Sequence, residues 1–263
     1  MKVRLDVLLV EKGYFESREK AKRAIMAGLV FIGQERYDKA GTMVSEDSDI
    51  HVKGDTCPYV SRGGLKLEKS IKTWELDLKD NVCMDIGSST GGFTDCMLQN
   101  GASKVYALDV GTNQLAYSLR IDPRVVVMEK TNIRDLDTDS FEKLDFISID
   151  VSFISLNLVL PVASALLKEE GRMVSLVKPQ FEAGRENIGK KGVVRDKKVH
   201  VSVIDEITSF AVENGFDLLG ADFSPVKGPE GNIEYLIYAA KDDDAQPFEF
   251  DVKRLVAESH SRL

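Results

Sequence analysis

Six polar residues stand where apolar runs of this chain end or begin. Asp85, Asp109, Asn132, Asp150 and Lys178 each close a run, and Glu234 opens one. If the runs are strands of one sheet, these residues share a rim at which a ligand can be held and acted on. The densest group is the stretch 84–93, MDIGSSTGGF, which reads as strand, glycine-rich turn and helix. Gly87, Gly91 and Gly92 allow positive φ and close approach of a ligand to the main chain. Ser88 and Phe93 complete the turn, and the helix that follows offers unpaired N–H groups. Asp85 would repel a pyrophosphate but suits a cationic amino-acid group or ribose hydroxyls. The glycine spacing also departs from GxGxxG, because Ser88 and Ser89 follow Gly87. The plainer alternative is an ordinary strand-to-helix turn with no ligand.

Around this turn, apolar runs alternate with helical stretches. VYALDV, VVVME, FISIDV, MVSLV, FDLLGADF and EYLIYAA are separated by helices expected at 113–120, 156–167 and 197–214. Alternation of this kind predicts an α/β sheet with helices on both faces and ligands at the carboxyl ends of the strands. Between the last two runs lies only SPVKGPEGNI, too short for a helical crossover, so that pair is expected to be antiparallel. The stretch SRGGLKLEKSIKTWEL predicts a helix starting near Gly64, with Lys66 in its first turn. A cation is unfavourable there beside the helix dipole, which suggests a functional use. A mostly parallel seven-stranded sheet with an antiparallel last strand resembles the class I (Rossmann-like) methyltransferase fold. That resemblance implies S-adenosylmethionine, not nicotinamide, as the cofactor, with Asp85, Gly87, Ser88, Gly91, Gly92, Phe93, Asp109, Asn132 and Asp150 as its binding residues.

The first 58 residues read as a separate small α+β module. Ser17 is a plausible N-cap, Gly28 closes the second helix, and 29–32 reads as a strand. Arg4, Arg18 and Lys22 belong to a basic excess in a chain whose formal net charge is −8. Arg18 and Lys22 are one turn apart and so share a helix face, as phosphate contact requires. A solvated charged face is the competing explanation. Gly54 and Pro58 mark a boundary, giving domains at 1–58 and 59–263 with a linker near 53–61. The 263 residues include three cysteines without CxxC spacing and three scattered histidines. Neither a disulfide framework nor a metal site is therefore expected. No run of 18 apolar residues occurs, so a cytoplasmic protein without membrane spans is expected.

RLDVLLVEKG, SREKAKRAIMAG and LVFIG resemble the S4 RNA-binding domain, and Arg4-Leu5-Asp6 superficially resembles the catalytic triplet of pseudouridine synthases. SRGGLKL, DIGSSTGGF, DVSFISL, VKPQFEAG, GVVRD and GPEGNIEYL, in that order, resemble the TlyA family of FtsJ-type ribose 2′-O-methyltransferases. The resemblance implies Lys66, Asp150, Lys178 and Glu234 as a catalytic tetrad and a ribosomal RNA cytidine as substrate. A ribose hydroxyl is a poor nucleophile, so transfer needs its proton removed and its oxygen aligned. Lys178 is the candidate base, provided that burial and the like charge of Lys66 outweigh Asp150 and Glu234; alternatively it stays charged and stabilises an alkoxide. Amino-group methylation would favour prolines where this chain has Asp150-Val151-Ser152-Phe153. Arg62, Arg185 and Arg195 are the RNA contacts expected in the large domain. The last two lie in a basic, glycine-containing loop (179–198) that could close over RNA. A non-catalytic ribosome-assembly protein is the second reading. A haemolysin, a label attached to this family, is the third, although no membrane-active helix is apparent.

Overall fold

The computed structural model describes residues 2–15, 17–53, 57–189, 192–242 and 248–263. Its contacts divide the chain into two units, Met1–Pro58 and Tyr59–Leu263.

In the first unit, strand β1 (Lys2–Arg4) leads into helix α1 (Leu5–Glu11), followed by α2 (Arg18–Met26). Strands β2 (Val30–Ile32), β3 (Glu35–Tyr37), β4 (Met43–Ser45) and β5 (Ile50–Val52) follow. Leu5, Leu8 and Leu9 of α1 meet Ala21, Ala24 and Ile25 of α2, and Val30, Val44 and Ile50 close this core. The small alanines let the two helices approach each other. Ser17 caps α2 by accepting from the Lys20 amide. At the other end Gly28 takes φ +70°, and the amides of Gly28 and Leu29 reach back to the carbonyls of Ile25 and Ala24. That is a Schellman stop, which a left-handed glycine makes inexpensive. The sheet order is β3-β2-β5, with β1 and β4 forming a separate antiparallel pair.

The second unit begins with α3 (Gly63–Thr73), β6 (Val82–Ile86), α4 (Gly92–Gln99), β7 (Lys104–Asp109), α5 (Tyr117–Arg120) and β8 (Val125–Glu129). It continues through β9 (Leu144–Ile149), α6 (Leu160–Leu166), β10 (Leu167–Val177), α7 (Pro179–Glu182) and α8 (Lys197–Glu213). Strands β11 (Asp217–Phe223) and β12 (Tyr235–Ala240) and helix α9 (Val252–Arg262) end the chain. Seven strands form one sheet in the order β11-β12-β10-β9-β6-β7-β8. β12 runs against the other six strands, because the short link from β11 leaves no room for a crossover. All six residues of β12 are buried, and β6 and β9 are nearly so, which is why these strands read as unbroken apolar runs.

Two local expectations are corrected here. The helix expected at 113–120 is only the turn Tyr117–Arg120. Asn113 takes φ +55° and Ala116 has ψ 139°, so no helix runs through them; the Glu129 carboxylate accepts from the amides of Asn113, Gln114 and Leu115 and also pairs with Arg120 at 2.5 Å. These donors hold the Glu129 pKa down to about 2. The segment 179–198 is likewise not a free loop. It holds α7 and a 3-10 turn at Arg185–Asn187, and Val193 and Val194 are buried. Lys190 and Lys191 of the expected basic loop, and 54–56 of the expected linker, lie outside the described residues.

Candidate active site

Strand register brings distant residues to one rim. Ile86 pairs with Ile149, and the Asp150 amide donates to the Ile86 carbonyl, so Asp85, Gly87 and Asp150 lie side by side. Val177 pairs with Tyr235, which sets Lys178 beside Glu234. These ends open on a cavity of about 590 Å³ that the turn after β6 and the first turn of α3 also line. Its volume falls in the range of small-molecule sites.

Four charged side chains alternate across the cavity wall. Lys178 Nζ lies 2.6 Å from Asp150 Oδ1 and donates to Ser152 Oγ at 3.0 Å. Lys66 Nζ lies 3.6 Å from Asp150 Oδ2 and 2.7 Å from Glu234 Oε2. Gln180 donates to the other oxygen of Glu234 at 3.4 Å. Glu234 is fully buried, and both lysines are 8% exposed. Burial pulls the Lys66 pKa down, but Asp150 and Glu234 outweigh it and raise it above the ordinary lysine value. Lys66 is therefore an ammonium that neutralises two acids, not a proton acceptor. Such a row is costly to break, because removing one charge leaves its partner buried and unpaired.

The glycine turn is shaped by contact as well as by conformation. Gly87 has φ +87°, and a Cβ there would lie 2.6 Å from the Asp150 carbonyl oxygen. A Cβ on Gly92 would lie 2.4 Å from Ser61 Oγ and 2.8 Å from the Gly64 amide nitrogen, so the N-termini of α3 and α4 meet only because position 92 lacks a side chain. Beneath the turn Asp85 is wholly buried and accepts from the Thr94 amide at 2.8 Å and the Thr94 hydroxyl at 2.6 Å. Desolvation lifts its pKa to about 7 despite those donors.

Comparison with known proteins fits this geometry. The FtsJ-like methyltransferase family matches residues 59–241, and the S4 domain matches residues 3–50. The 16S/23S rRNA (cytidine-2′-O)-methyltransferase TlyA of Mycobacterium tuberculosis is 38% identical over 98% of this chain and 98% of its own length. The chain belongs to the TlyA family. Hemolysin A of Brachyspira hyodysenteriae is 42% identical over 90% of this chain and 99% of its own. A Streptococcus thermophilus structure solved under a provisional hemolysin name is 50% identical, with TM-score 0.79 and coverage of 99% of this chain and 96% of that one.

Within this TlyA-family chain, the cavity wall includes Arg62, Lys66, Asp85, Gly87, Ser88, Gly92, Phe93, Asp150, Lys178 and Glu234. Gly91, Asp109 and Asn132 are not among its lining residues. Gly91 is the left-handed N-cap of α4. Asp109 accepts from the amides of Ser89 at 2.8 Å and Gly111 at 2.7 Å, bracing the glycine turn from behind. Asn132 caps a 3-10 turn by accepting from the Arg134 amide. Arg185 and Arg195 are exposed and also lie off the wall. Sequence reading missed Ser61, Ser152, Phe153, Gln180, Phe181 and Asn232 as wall residues. Phe153 is the most instructive of these. It is 91% exposed, takes φ +64° and lies 4.9 Å from the Phe181 ring, although its type suggests core. Its place immediately after Asp150-Val151-Ser152 was the available signal.

In the first unit, buried Asp6 accepts from Arg4 at 2.9 Å and Arg18 at 2.9 Å, and both guanidinium groups remain about half exposed. Hydrogen bonding from Arg4, with help from Arg18, holds the Asp6 carboxyl down at about 2. Lys22 pairs with Glu19 at 2.8 Å. Among the described residues no helix is long and apolar enough to cross a membrane.

Proposed function

We propose that the protein transfers the methyl group of S-adenosylmethionine to the 2′-hydroxyl of a cytidine in ribosomal RNA. The observation that carries this reading is the row Lys178, Asp150, Lys66, Glu234 at the mouth of the glycine-walled cavity. Its residues fit such a cofactor. The bare backbone at Gly87 and Gly92 leaves a wall that a nucleoside can approach, and Ser88, Phe93 and Asp150 line the same cavity beside it. When bound, S-adenosylmethionine supplies an electrophilic methyl group on sulfur.

The chain's own residues then have separable tasks. Asp150 and Ser152 aim the Lys178 amine, and Lys66 fixes Asp150 and Glu234 as one rigid unit. Once it has released its own proton, Lys178 as a neutral amine receives the 2′-hydroxyl proton as the oxygen attacks the methyl carbon, while its fixed position supplies much of the rate. Arg62 beside the cavity, Arg185 and Arg195 outside it, and Arg4, Arg18 and Lys22 on the S4 unit are the phosphate contacts. Phe153, exposed next to Phe181, offers a face on which an unstacked base can rest, and the target nucleotide must leave its helix to reach the rim.

Lys178→Arg is the informative test, because arginine keeps the charge but cannot accept a proton. With ribosomal subunits from an unmodified strain and labelled cofactor, both Lys178→Arg and Lys178→Ala are expected to lose at least ~100-fold in turnover. Cofactor affinity should stay near that of the wild type. Activity retained in the arginine variant would show that charge, not proton acceptance, is what the position supplies. No label on either subunit by the wild type would overturn the assignment.

A further inference from the structure

The segment between Gly192 and α8 carries no regular structure, yet Val194 is only 3% exposed and both of its main-chain groups are held by side chains. Its amide donates to Asn232 Oδ1 at 3.2 Å. Its carbonyl lies 3.0 Å from His200 Nε2. Asn232 Nδ2 donates to the Gly192 carbonyl at 3.0 Å, so one amide side chain satisfies the segment at two points. A carbonyl can only accept, which places the proton of His200 on Nε2 and leaves Nδ1 to accept from the Tyr235 hydroxyl at 2.8 Å. Tyr235 directly follows Glu234, and Asn232 precedes it by two residues. Two buried polar side chains, 0% and 4% exposed, thus tie this segment to the strand entry that presents Glu234.

We infer that His200 and Asn232 form a latch on Val194 that presets the cavity edge at Gly192, and the exposed Arg195 beyond it, for RNA. The kinetic part of this inference rests on the function proposed above; the latch itself does not. Without the two side chains, the main-chain groups of Val194 would be buried without partners, and the segment would open to hydrate them. A preset edge spares the substrate the cost of ordering the segment on binding. His200 is absent from the cavity wall, so it acts through Val194 and is a positioning residue. The glycine turn follows β6 and, among the described residues, shares no hydrogen bond with His200, so removing the His200 side chain acts on the Gly192 edge and leaves that turn in place.

The test uses the full chain with His200→Ala, His200→Gln and Asn232→Asp. Glutamine can donate to the Val194 carbonyl and accept from Tyr235 as histidine does. Aspartate keeps the acceptor for the Val194 amide but sets a carboxylate against the Gly192 carbonyl. In His200→Ala, amide exchange in a peptide covering 192–196 is expected to speed up about tenfold, and KM for ribosomal subunits to rise about fivefold, the scale of one lost buried hydrogen bond. KM for the cofactor and kcat should stay within about twofold, since no contact of the glycine turn is removed. His200→Gln should restore both readouts, and Asn232→Asp, which is read by exchange alone because Asn232 lines the cavity, should also speed exchange in that peptide. Unchanged exchange in both His200→Ala and Asn232→Asp would overturn the latch. Faster exchange with unchanged KM for RNA would overturn its role in substrate binding. If His200→Ala does not fold, His200→Met, which fills the space but offers no donor, takes its place for both readouts. A wild-type protein that methylates nothing would count against the proposed function, while exchange would still judge the latch.

Discussion

At the residue scale, the site is governed by which charges are buried and what each faces. Asp85 is the clearest case, because among the described residues no cation pairs with it and Thr94 and Ser148 are its hydrogen-bond donors. Its folded-state pKa, about 7, lies above the ordinary carboxyl value of 3.8. The stability contributed by its protonated form is therefore fully present below about pH 4 and lost as pH rises through 7. Asp85→Asn, which can accept from Thr94 without carrying charge, should be stabilised relative to the wild type at pH 8. By pH 5 most of that gain should be gone, the difference being on the order of 2 kcal/mol in denaturant titrations at the two pH values. An equal effect at both would mean that Asp85 is ionised throughout. The same reasoning separates Asp85 from Asp150, which has two lysines within reach. Both acids end apolar runs, and nothing local in the chain distinguishes them.

At the scale of elements, α8, β12 and α9 share a buried polar knot. His200 meets Tyr235, Tyr235 meets Ser259 of α9 at 3.1 Å, and the rings of His200 and His260 lie 4.8 Å apart. Two histidines that look scattered in sequence are thus neighbours, although no metal-holding group occurs among the described residues. Desolvation lowers the pKa of His200, and desolvation, His200 and two lysines, Lys197 and Lys227, lower that of His260. Their stabilising neutral forms are complete above the ordinary histidine value of 6.5 and are lost as pH falls toward the depressed values. Asp85 acts in the opposite sense in both proteins, so the histidine effect is read as a difference: between pH 7 and pH 5 the melting temperature of the wild type should fall relative to that of His200→Gln, which has one fewer group to titrate. A parallel decline in both proteins would place the acid sensitivity elsewhere.

At the scale of the whole molecule, the two units divide the work of binding and chemistry. The Asp6 clamp in the first unit spends one buried carboxylate to present two half-exposed arginines, a local basic face on a chain of net charge −8. Removing Arg18 and Lys22 together leaves Arg4 to pair with Asp6, so the unit should still fold. Affinity for ribosomal RNA should then fall, with the slope of log affinity against log salt becoming shallower by about 2, while cofactor affinity is unchanged. An unaltered salt slope would remove this face from the RNA interface. Much of this architecture was legible in the chain itself. Strands buried on both faces must be apolar throughout, so they stand out as runs, and the ten-residue link before Glu234 forbids a parallel last strand. The glycine turn, the caps at Ser17 and Gly28, and the polar ends Asp85, Asp150, Lys178 and Glu234 are local signals that period and punctuation reveal. The tertiary structure decided what those ends face. Inserting β12 between β10 and β11 sets Glu234 beside Lys178, the backbone at Asn113 and Ala116 leaves the helical region, and Asp109 and Asn132 accept from loop amides. An exposed Phe153 and the Asn232 half of the latch on Val194 depend on partners far away in the chain, 38 residues in the second case. Side-chain periodicity records which face of an element is buried, but not which neighbour buries it.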